Sequence, residues 1–144
     1  MKQIHHVVDI ATSTDSVWAA LTTADGLAGW WSTSVELEGG GLGAEIRFTF
    51  AADFNPVMQV AALEPGRSLE WLCIAGHLNW TDNTFAFELV DLDDGRCRLR
   101  FDQFYAVELS DDDFGVYNFN WGYYLESLRL LCTTGTGKPF HPGA

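Results

Sequence analysis

Residues 110–135 decide the fold of this chain and read SDDDFGVYNFNWGYYLESLRLLCTTG. Apolar side chains recur there every three or four positions over about five turns, which is the spacing of one face of an α-helix. Ser110 is a suitable N-cap, aspartates crowd the first turn, and Gly135 predicts the end of the helix. A face this aromatic must be buried, and we expect it to pack against a sheet. It consists of Phe114, Tyr117, Trp121, Tyr124, Leu125, Leu128, Leu131 and Cys132.

The sequence upstream of this helix predicts a series of strands, interrupted once by two short helices. Ser13 can cap the first short helix, and the second extends from about Ala24 to Trp31. The glycine run at 39–43 lacks the GxGxxG order and precedes no helix, so it favours a flexible hairpin over a phosphate-binding loop. Alternating apolar and polar side chains predict strands over residues 3–11, 34–38, 44–50, 57–63, 68–75, 81–90 and 96–103.

This order of elements predicts an α+β protein with a helix-grip fold. In such a fold, a curved antiparallel sheet of six or seven strands wraps around the long C-terminal helix, and two short helices follow the first strand. A length of 144 residues fits a single domain over 1–144 and allows a substantial core. Aromatic residues make up 14% of the chain. Because rings bury large areas with few rotatable bonds, they suit a packed core and a pocket wall equally well.

The charge balance argues against several classes of partner. Asp and Glu number 20 and Lys and Arg number 8, which gives a formal net charge of −12. Such a chain repels nucleic-acid phosphates and anionic lipids, so we expect no nucleic-acid partner.

The sequence also predicts a protein outside the membrane. No stretch has the length of a membrane span, and we expect no membrane insertion. The N-terminus leads straight into a strand without a signal-peptide core, which favours a cytoplasmic protein.

No metal site and no cofactor are predicted. Cys73, Cys97 and Cys132 are far apart and odd in number, and no CxxC motif or close Cys/His pair accompanies them. We interpret them as small apolar side chains of the core. The arginines at alternate positions of the strand over 96–103 indicate a solvated face with acidic neighbours across the ladder, rather than a binding site.

Several short motifs follow one another in a specific order along the chain. They are residues 17–22 (VWAALT), Gly26-Leu27, Trp30-Trp31, residues 64–71 (EPGRSLEW), and Trp121 followed by Leu125, Leu128 and Gly135. In this order they resemble the START-like (SRPBCC, Bet v 1-like) superfamily, and within it the branch of activator of Hsp90 ATPase homologue 1-like proteins. The resemblance implies a deep, mostly apolar cavity between sheet and helix. Members of the superfamily bind lipids, sterols, polyketides or plant hormones, and some are cyclases. The branch has no shared catalytic motif, so the resemblance implies no catalytic residue.

The first functional hypothesis is the binding of a small apolar or aromatic molecule between the sheet and the helix. A lining of flat aromatic rings favours flat or apolar ligands, and each Tyr or Trp adds a hydrogen-bond donor. The alternative is that the rings fill the space themselves, as in any close-packed core. The candidate pocket residues are His6, Trp31, Phe48, Phe50, Trp71, Phe85, Phe87, Phe101, Tyr117, Trp121 and Tyr124.

Two other functions stay open. An enzyme of the polyketide cyclase type needs a titratable group inside the cavity, although His6 is more simply a packed histidine bonded to a neighbour. A protein-interaction module related to chaperone regulation would use Trp30-Trp31 as an exposed anchor, although the pair is more simply buried under the sheet rim. A homodimer is also left open. The candidates for an enzymatic role are His6, Asp53, Asp102, Gln103, Tyr117 and Asn118.

Overall fold

A computed structural model of the protein describes residues 2–143, and its elements follow the predicted order. All seven strands form one curved antiparallel sheet in the order β1-β7-β6-β5-β4-β3-β2, which together with the three helices confirms the helix-grip fold. The elements are β1 (Gln3–Ile10), α1 (Thr14–Thr22), α2 (Ala24–Trp30), β2 (Ser34–Glu38), β3 (Glu45–Thr49), β4 (Val57–Glu64), β5 (Ser68–Ala75), β6 (Thr84–Asp91), β7 (Cys97–Phe104) and α3 (Asp111–Thr134).

The ends of the helices are set by side chains that satisfy their free backbone groups. The Ser110 hydroxyl accepts a hydrogen bond from the Asp113 amide at the start of α3. At the other end Gly135 has φ 87°, a left-handed conformation that glycine adopts without strain. Thr23 serves both short helices, because its backbone ends α1 and its hydroxyl caps α2. The predicted helix boundaries are therefore confirmed to within one residue.

One strand begins three residues later than the sequence predicts, whereas the starts of the other strands agree to within one residue. Residues 81–83 were expected in a strand, but they form a turn in which Asp82 has φ 72°, and β6 begins at Thr84. The buried Asn83 side chain accepts a hydrogen bond from the Ala106 amide at 2.8 Å and donates one to the Asn79 carbonyl at 3.0 Å. The turn keeps two backbone hydrogen bonds to Cys73 of β5, and the Asn83 side chain adds these further bonds to the neighbouring segments. Their consequence is that the loop carrying Trp80 is held against the interior.

The two faces of the sheet differ as the alternation predicts. On β7, Cys97, Leu99 and Phe101 are buried against the helix. On the outer face Arg98 pairs with Asp9 at 2.7 Å and Arg100 pairs with Glu88 at 2.9 Å. The row of arginines therefore has acidic partners across the ladder, as expected for a solvated face.

Three further expectations concern the cysteines, metals and membranes. Cys73 and Cys97 are buried and Cys132 is half-buried, and burial raises the pKa of the Cys73 and Cys97 thiols. The thiols are thus protonated side chains of the core. Within residues 2–143 no group of three or more His, Cys, Asp or Glu side chains is placed to hold a metal ion. None of the helices described is both long and apolar enough to cross a membrane.

A candidate ligand-binding groove

The centre of the space between α3 and the sheet is filled by aromatic rings. Trp31 lies at the middle of this packing, with ring centroids 6.0 Å from Trp71 and 5.2 Å from Trp121. Phe101 contacts the Trp121 ring at 4.2 Å, and the Trp121 indole donates a hydrogen bond of 2.7 Å to the buried Gln103 Oε1. Rings packed this closely leave no room for a guest at the centre.

Beside this packed centre the structure leaves an apolar groove with a volume of about 230 Å³. One wall is α3, the floor is made by Trp31 and Trp80, and loops and the C-terminal segment complete the rim. Eight of the ten lining residues are aromatic. The residues that line the groove are Trp31, Phe50, Ala51, Phe54, Trp80, Tyr117, Asn120, Trp121, Tyr124 and Phe140.

The rim of the groove is held by backbone contacts outside the main ladder. Phe140 donates its amide to the Trp31 carbonyl at 2.9 Å, and its carbonyl accepts from the Thr33 amide at 2.9 Å. The Phe140 ring stacks on Phe50 at 5.7 Å. Phe54 meets the edge of the Trp80 ring at 4.8 Å. These contacts fix rings from distant parts of the chain around one opening.

The groove offers hydrogen-bonding groups but little charge. Its lining contains two tyrosines and one asparagine, and no Asp, Glu, His, Lys or Arg among the residues that the structure describes. Burial raises the pKa of Tyr117 and of Tyr124, so both hydroxyls stay protonated at neutral pH. The Tyr117 hydroxyl accepts a long hydrogen bond of 3.4 Å from the Asn79 side chain. Such a surface suits uncharged, flat molecules.

The pocket candidates from the sequence occupy three different places. His6 lies on the other side of α3, where its Nε2 is 3.0 Å from the Asn118 Oδ1. Trp31, Phe50, Tyr117, Trp121 and Tyr124 line the groove. Phe48, Trp71, Phe85, Phe87 and Phe101 are fully buried in the core and lie outside the groove lining.

The other candidate residues are similarly scattered. Asp102 faces outward and lies 2.7 Å from His5 Nδ1, whereas Gln103 is buried beneath Trp121. Asp53 is exposed on the loop beside the groove and adds to the raised pKa of Tyr117, behind the larger effect of burial. Trp30 and Trp31 are both buried, as the simpler interpretation of the pair predicted, so they cannot form an exposed anchor.

Sequence reasoning missed half of the groove. Alternation and helical spacing select residues on regular elements, but much of the rim comes from loops and from the segment after α3, where no periodicity exists. The only available signal was the presence of large aromatic residues in segments that otherwise have the composition of loops. The residues missed are Ala51, Phe54, Trp80, Asn120 and Phe140.

Comparisons with known proteins agree with this architecture. The family model described as Activator of Hsp90 ATPase homolog 1-like protein matches residues 11–132. Among solved structures, the Aha1 dimer from Colwellia psychrerythraea is 29% identical, with a TM-score of 0.81 over 95% of this chain and 100% of that chain. No curated protein matches the sequence significantly.

Two other solved structures are similar at lower sequence identity. DynU16, from the dynemicin biosynthetic locus, is 18% identical with a TM-score of 0.77, over 95% of this chain and 49% of that chain. Norcoclaurine synthase from Thalictrum flavum, in complex with dopamine and hydroxybenzaldehyde, is 16% identical with a TM-score of 0.66, over 95% of this chain and 89% of that chain. At these identities the likeness shows the fold alone.

Proposed function

Because the chain belongs to the family of activator of Hsp90 ATPase homolog 1-like proteins, we propose that it binds a small uncharged aromatic molecule in the groove beside α3. The observation that carries the proposal is the groove itself, an opening of about 230 Å³ in which eight of ten lining residues are aromatic. Solved structures with this fold include a protein with aromatic ligands bound, norcoclaurine synthase, which supports the fold as a host for such molecules.

The size of the groove limits the ligand. Pockets for drug-sized ligands usually enclose about 300–1,000 Å³, whereas an apolar cavity of about 150 Å³ holds benzene. A groove of about 230 Å³ therefore suits one or two fused rings better than a flavonoid, a sterol or a fatty acid.

Binding is better supported than acid–base catalysis. General acid–base chemistry needs a group whose pKa lies near the working pH. The titratable groups in the described lining are tyrosine hydroxyls, and burial moves the pKa values of Tyr117 and Tyr124 further above neutrality. The groove is thus equipped to orient a guest by stacking and hydrogen bonds.

The proposal is tested by titrating the protein with aromatic compounds of increasing size. Three tryptophans line the groove, Trp31, Trp80 and Trp121, so a bound ring should quench the intrinsic fluorescence. We expect naphthalene and 2-naphthol to quench the fluorescence and to raise the melting temperature, while a flavonoid and a fatty acid should do neither.

A pair of neighbouring alanines provides the matched control. Ala51 lines the groove, whereas the exposed Ala52 does not. Ala51→Trp should fill the opening and abolish quenching by naphthalene, and Ala52→Trp should bind like the wild type. If no one- or two-ring compound binds, or if both variants bind equally well, the groove is not the binding site.

A second candidate function is self-association. The solved Aha1 from Colwellia psychrerythraea, 29% identical to this chain, is a dimer. On this chain α3 exposes Val116 and Phe119 one turn apart, and Phe119 is 75% exposed. We propose that this pair contacts a second copy of the chain, because apolar side chains exposed together on a helix mark interaction surfaces.

Sedimentation velocity at low and high salt tests self-association. Two copies that each carry a net charge of −12 repel one another, and salt screens this repulsion. We expect a dimer that strengthens with salt and that Phe119→Ser weakens. Phe104→Ser, on the outer face of β7, is the control. A monomer at every concentration and salt level would contradict the proposal.

A further inference from the structure

The hydrogen-bonding side chains that line the groove are unevenly distributed around it. Its hydroxyl and amide groups, from Tyr117, Asn120 and Tyr124, all belong to α3. These residues are three and four positions apart, which places them on one face of the helix. At a rise of about 1.5 Å per residue they form a row about 10 Å long, which we call the polar stripe.

The side of the groove that faces the polar stripe consists of hydrocarbon. Phe54 and Phe50 each lie opposite one of its tyrosines, with ring centroids 6.3 Å and 6.4 Å apart. The backbone of this side is already paired, because the Ala51 and Phe54 amides donate to each other's carbonyls and Phe140 is bonded to neighbouring backbone. A polar substituent directed here would lose hydrogen bonds to water without gaining others.

The indole N–H groups at the floor of the groove do not remove this asymmetry. The Trp121 N–H is used by Gln103, to which it donates a hydrogen bond. The Trp80 Nε1 is buried below the surface of the groove. Trp31 adds at most one N–H, from a ring that is 2% exposed. Most of the hydrogen-bonding capacity therefore lies along α3.

The groups of the polar stripe are available to a ligand. The Tyr117 hydroxyl accepts from the Asn79 side chain, which leaves its own hydrogen free to donate. Burial raises the pKa of Tyr124, and no hydrogen bond from residues 2–143 contributes to this shift, so the hydroxyl is protonated and unoccupied. Asn120 is exposed, and its amide can both donate and accept. The stripe can therefore bind hydroxyl or carbonyl substituents.

We propose that the groove selects two-ring aromatic molecules that carry their polar substituents along one long edge. That edge lies against the polar stripe, and the opposite hydrocarbon edge faces Phe50 and Phe54. The inference rests on the proposed function and narrows it, because it specifies where on the ring system the polar groups must be. A ring system with substituents on both long edges has to direct one of them toward hydrocarbon.

The experiment compares two isomers, 2,7-dihydroxynaphthalene and 2,6-dihydroxynaphthalene. The hydroxyls of the 2,7 isomer are on the same long edge of naphthalene, whereas those of the 2,6 isomer are on opposite edges. Because the isomers have the same composition, a difference in affinity reports the positions of the hydroxyls. In isothermal titration calorimetry we expect the wild type to bind the 2,7 isomer about three- to tenfold more tightly, the effect of about one neutral hydrogen bond.

Substitutions on α3 test the origin of this preference. Tyr124→Phe and Asn120→Leu each remove a hydrogen-bonding group from the polar stripe, and both should lower the ratio of the two affinities. Tyr124→Phe should leave the affinity for naphthalene unchanged. Tyr123→Phe is the matched control and should keep the ratio, because it removes a hydroxyl from the neighbouring ring, which is 48% exposed and outside the groove lining. Asn120 is exposed, so Asn120→Leu keeps the test available should Tyr124→Phe not fold.

The possible results separate this inference from the proposed function. Equal affinities of the two isomers for the wild type overturn the selection of one polar edge and leave the groove as a binding site. A preference that persists in both Tyr124→Phe and Asn120→Leu also overturns it, because the polar stripe is then not its origin. If naphthalene and both isomers fail to bind, the proposed function itself fails.

Discussion

The packed centre under α3 and the groove beside it are built from the same kinds of side chain, yet only one has space. Rings of the centre, such as Phe87 and Phe101, come from neighbouring strands, and the ladder holds them at contact distance. Rings of the groove rim, such as Phe54 and Phe140, come from a loop and from the segment after α3. Aromatic content alone therefore does not distinguish a core from a site. What distinguishes the groove is that part of its rim, Phe54 and Phe140, is carried by connecting segments, which no strand ladder holds at contact distance.

The largest effect should come from opening the packed centre. Phe101→Ala removes a fully buried ring that contacts Trp121 at 4.2 Å, and we expect a loss of about 3–5 kcal/mol in the free energy of unfolding. Phe104, on the same strand, points outward and is 45% exposed. Phe104→Ala should cost no more than about 1 kcal/mol. Urea unfolding of both variants measures the difference, and equal losses would mean that the centre is not close-packed.

The next prediction compares the stability lost when either of two tryptophans of the groove wall is replaced by phenylalanine. Among residues 2–143, Trp121 is the one donor to the buried Gln103 Oε1, and Trp121→Phe removes it. Trp80→Phe removes an indole N–H that makes no hydrogen bond to the same residues. Both changes delete the same atoms, so their difference isolates the hydrogen bond. We expect Trp121→Phe to be the more destabilising by about 1–3 kcal/mol in urea unfolding. Equal stability would show that the Trp80 N–H is paired in solution.

Much of this fold could be predicted because its elements have regular patterns. The helical spacing from Phe114 to Cys132 and the glycine after Thr134 predict α3, and alternation predicts the seven strands. Even the pairing of Arg98 and Arg100 with acidic neighbours follows from the alternation on β7. In each case a local period decides which way a side chain points.

The groove could be predicted only in part because its remaining residues depend on contacts between distant segments. Trp80 is placed by the turn at Asp82 and by the hydrogen bonds of Asn83, and neither has a periodic pattern. Phe140 reaches the groove through a backbone bridge to the chain around Ser32. His6 alternates inward as predicted, but the path of α3 places it on the opposite side from the groove.

A smaller effect on the free energy of unfolding is expected at alkaline pH, where the buried Tyr105 hydroxyl keeps its proton. Burial raises the pKa of Tyr105 above its ordinary value of 10.0. Above about pH 10 the unfolded chain therefore loses this proton while the folded protein keeps it, and the free energy of unfolding must fall as the pH rises. Tyr105→Phe should reduce this fall. Urea unfolding from about pH 8 to pH 11 measures it. Wild type and variant should have parallel pH profiles below about pH 9, and parallel profiles above pH 10 would mean that Tyr105 is solvated.

The smallest effect on stability should come from the rim, where binding should suffer instead. Phe140 is 37% exposed and its position depends on backbone hydrogen bonds that an alanine can also make. Phe140→Ala should therefore lower the free energy of unfolding by only about 1 kcal/mol. The affinity for 2-naphthol should nevertheless fall by about two- to tenfold, because a ring that stacks on the guest is lost. Fluorescence titration measures the affinity, and urea unfolding of the same preparation measures the stability. Phe104→Ala, which removes a ring outside the groove, is the control. A variant that loses stability but keeps its affinity would place Phe140 in the packed core, and the rim of the groove would then contribute nothing to binding.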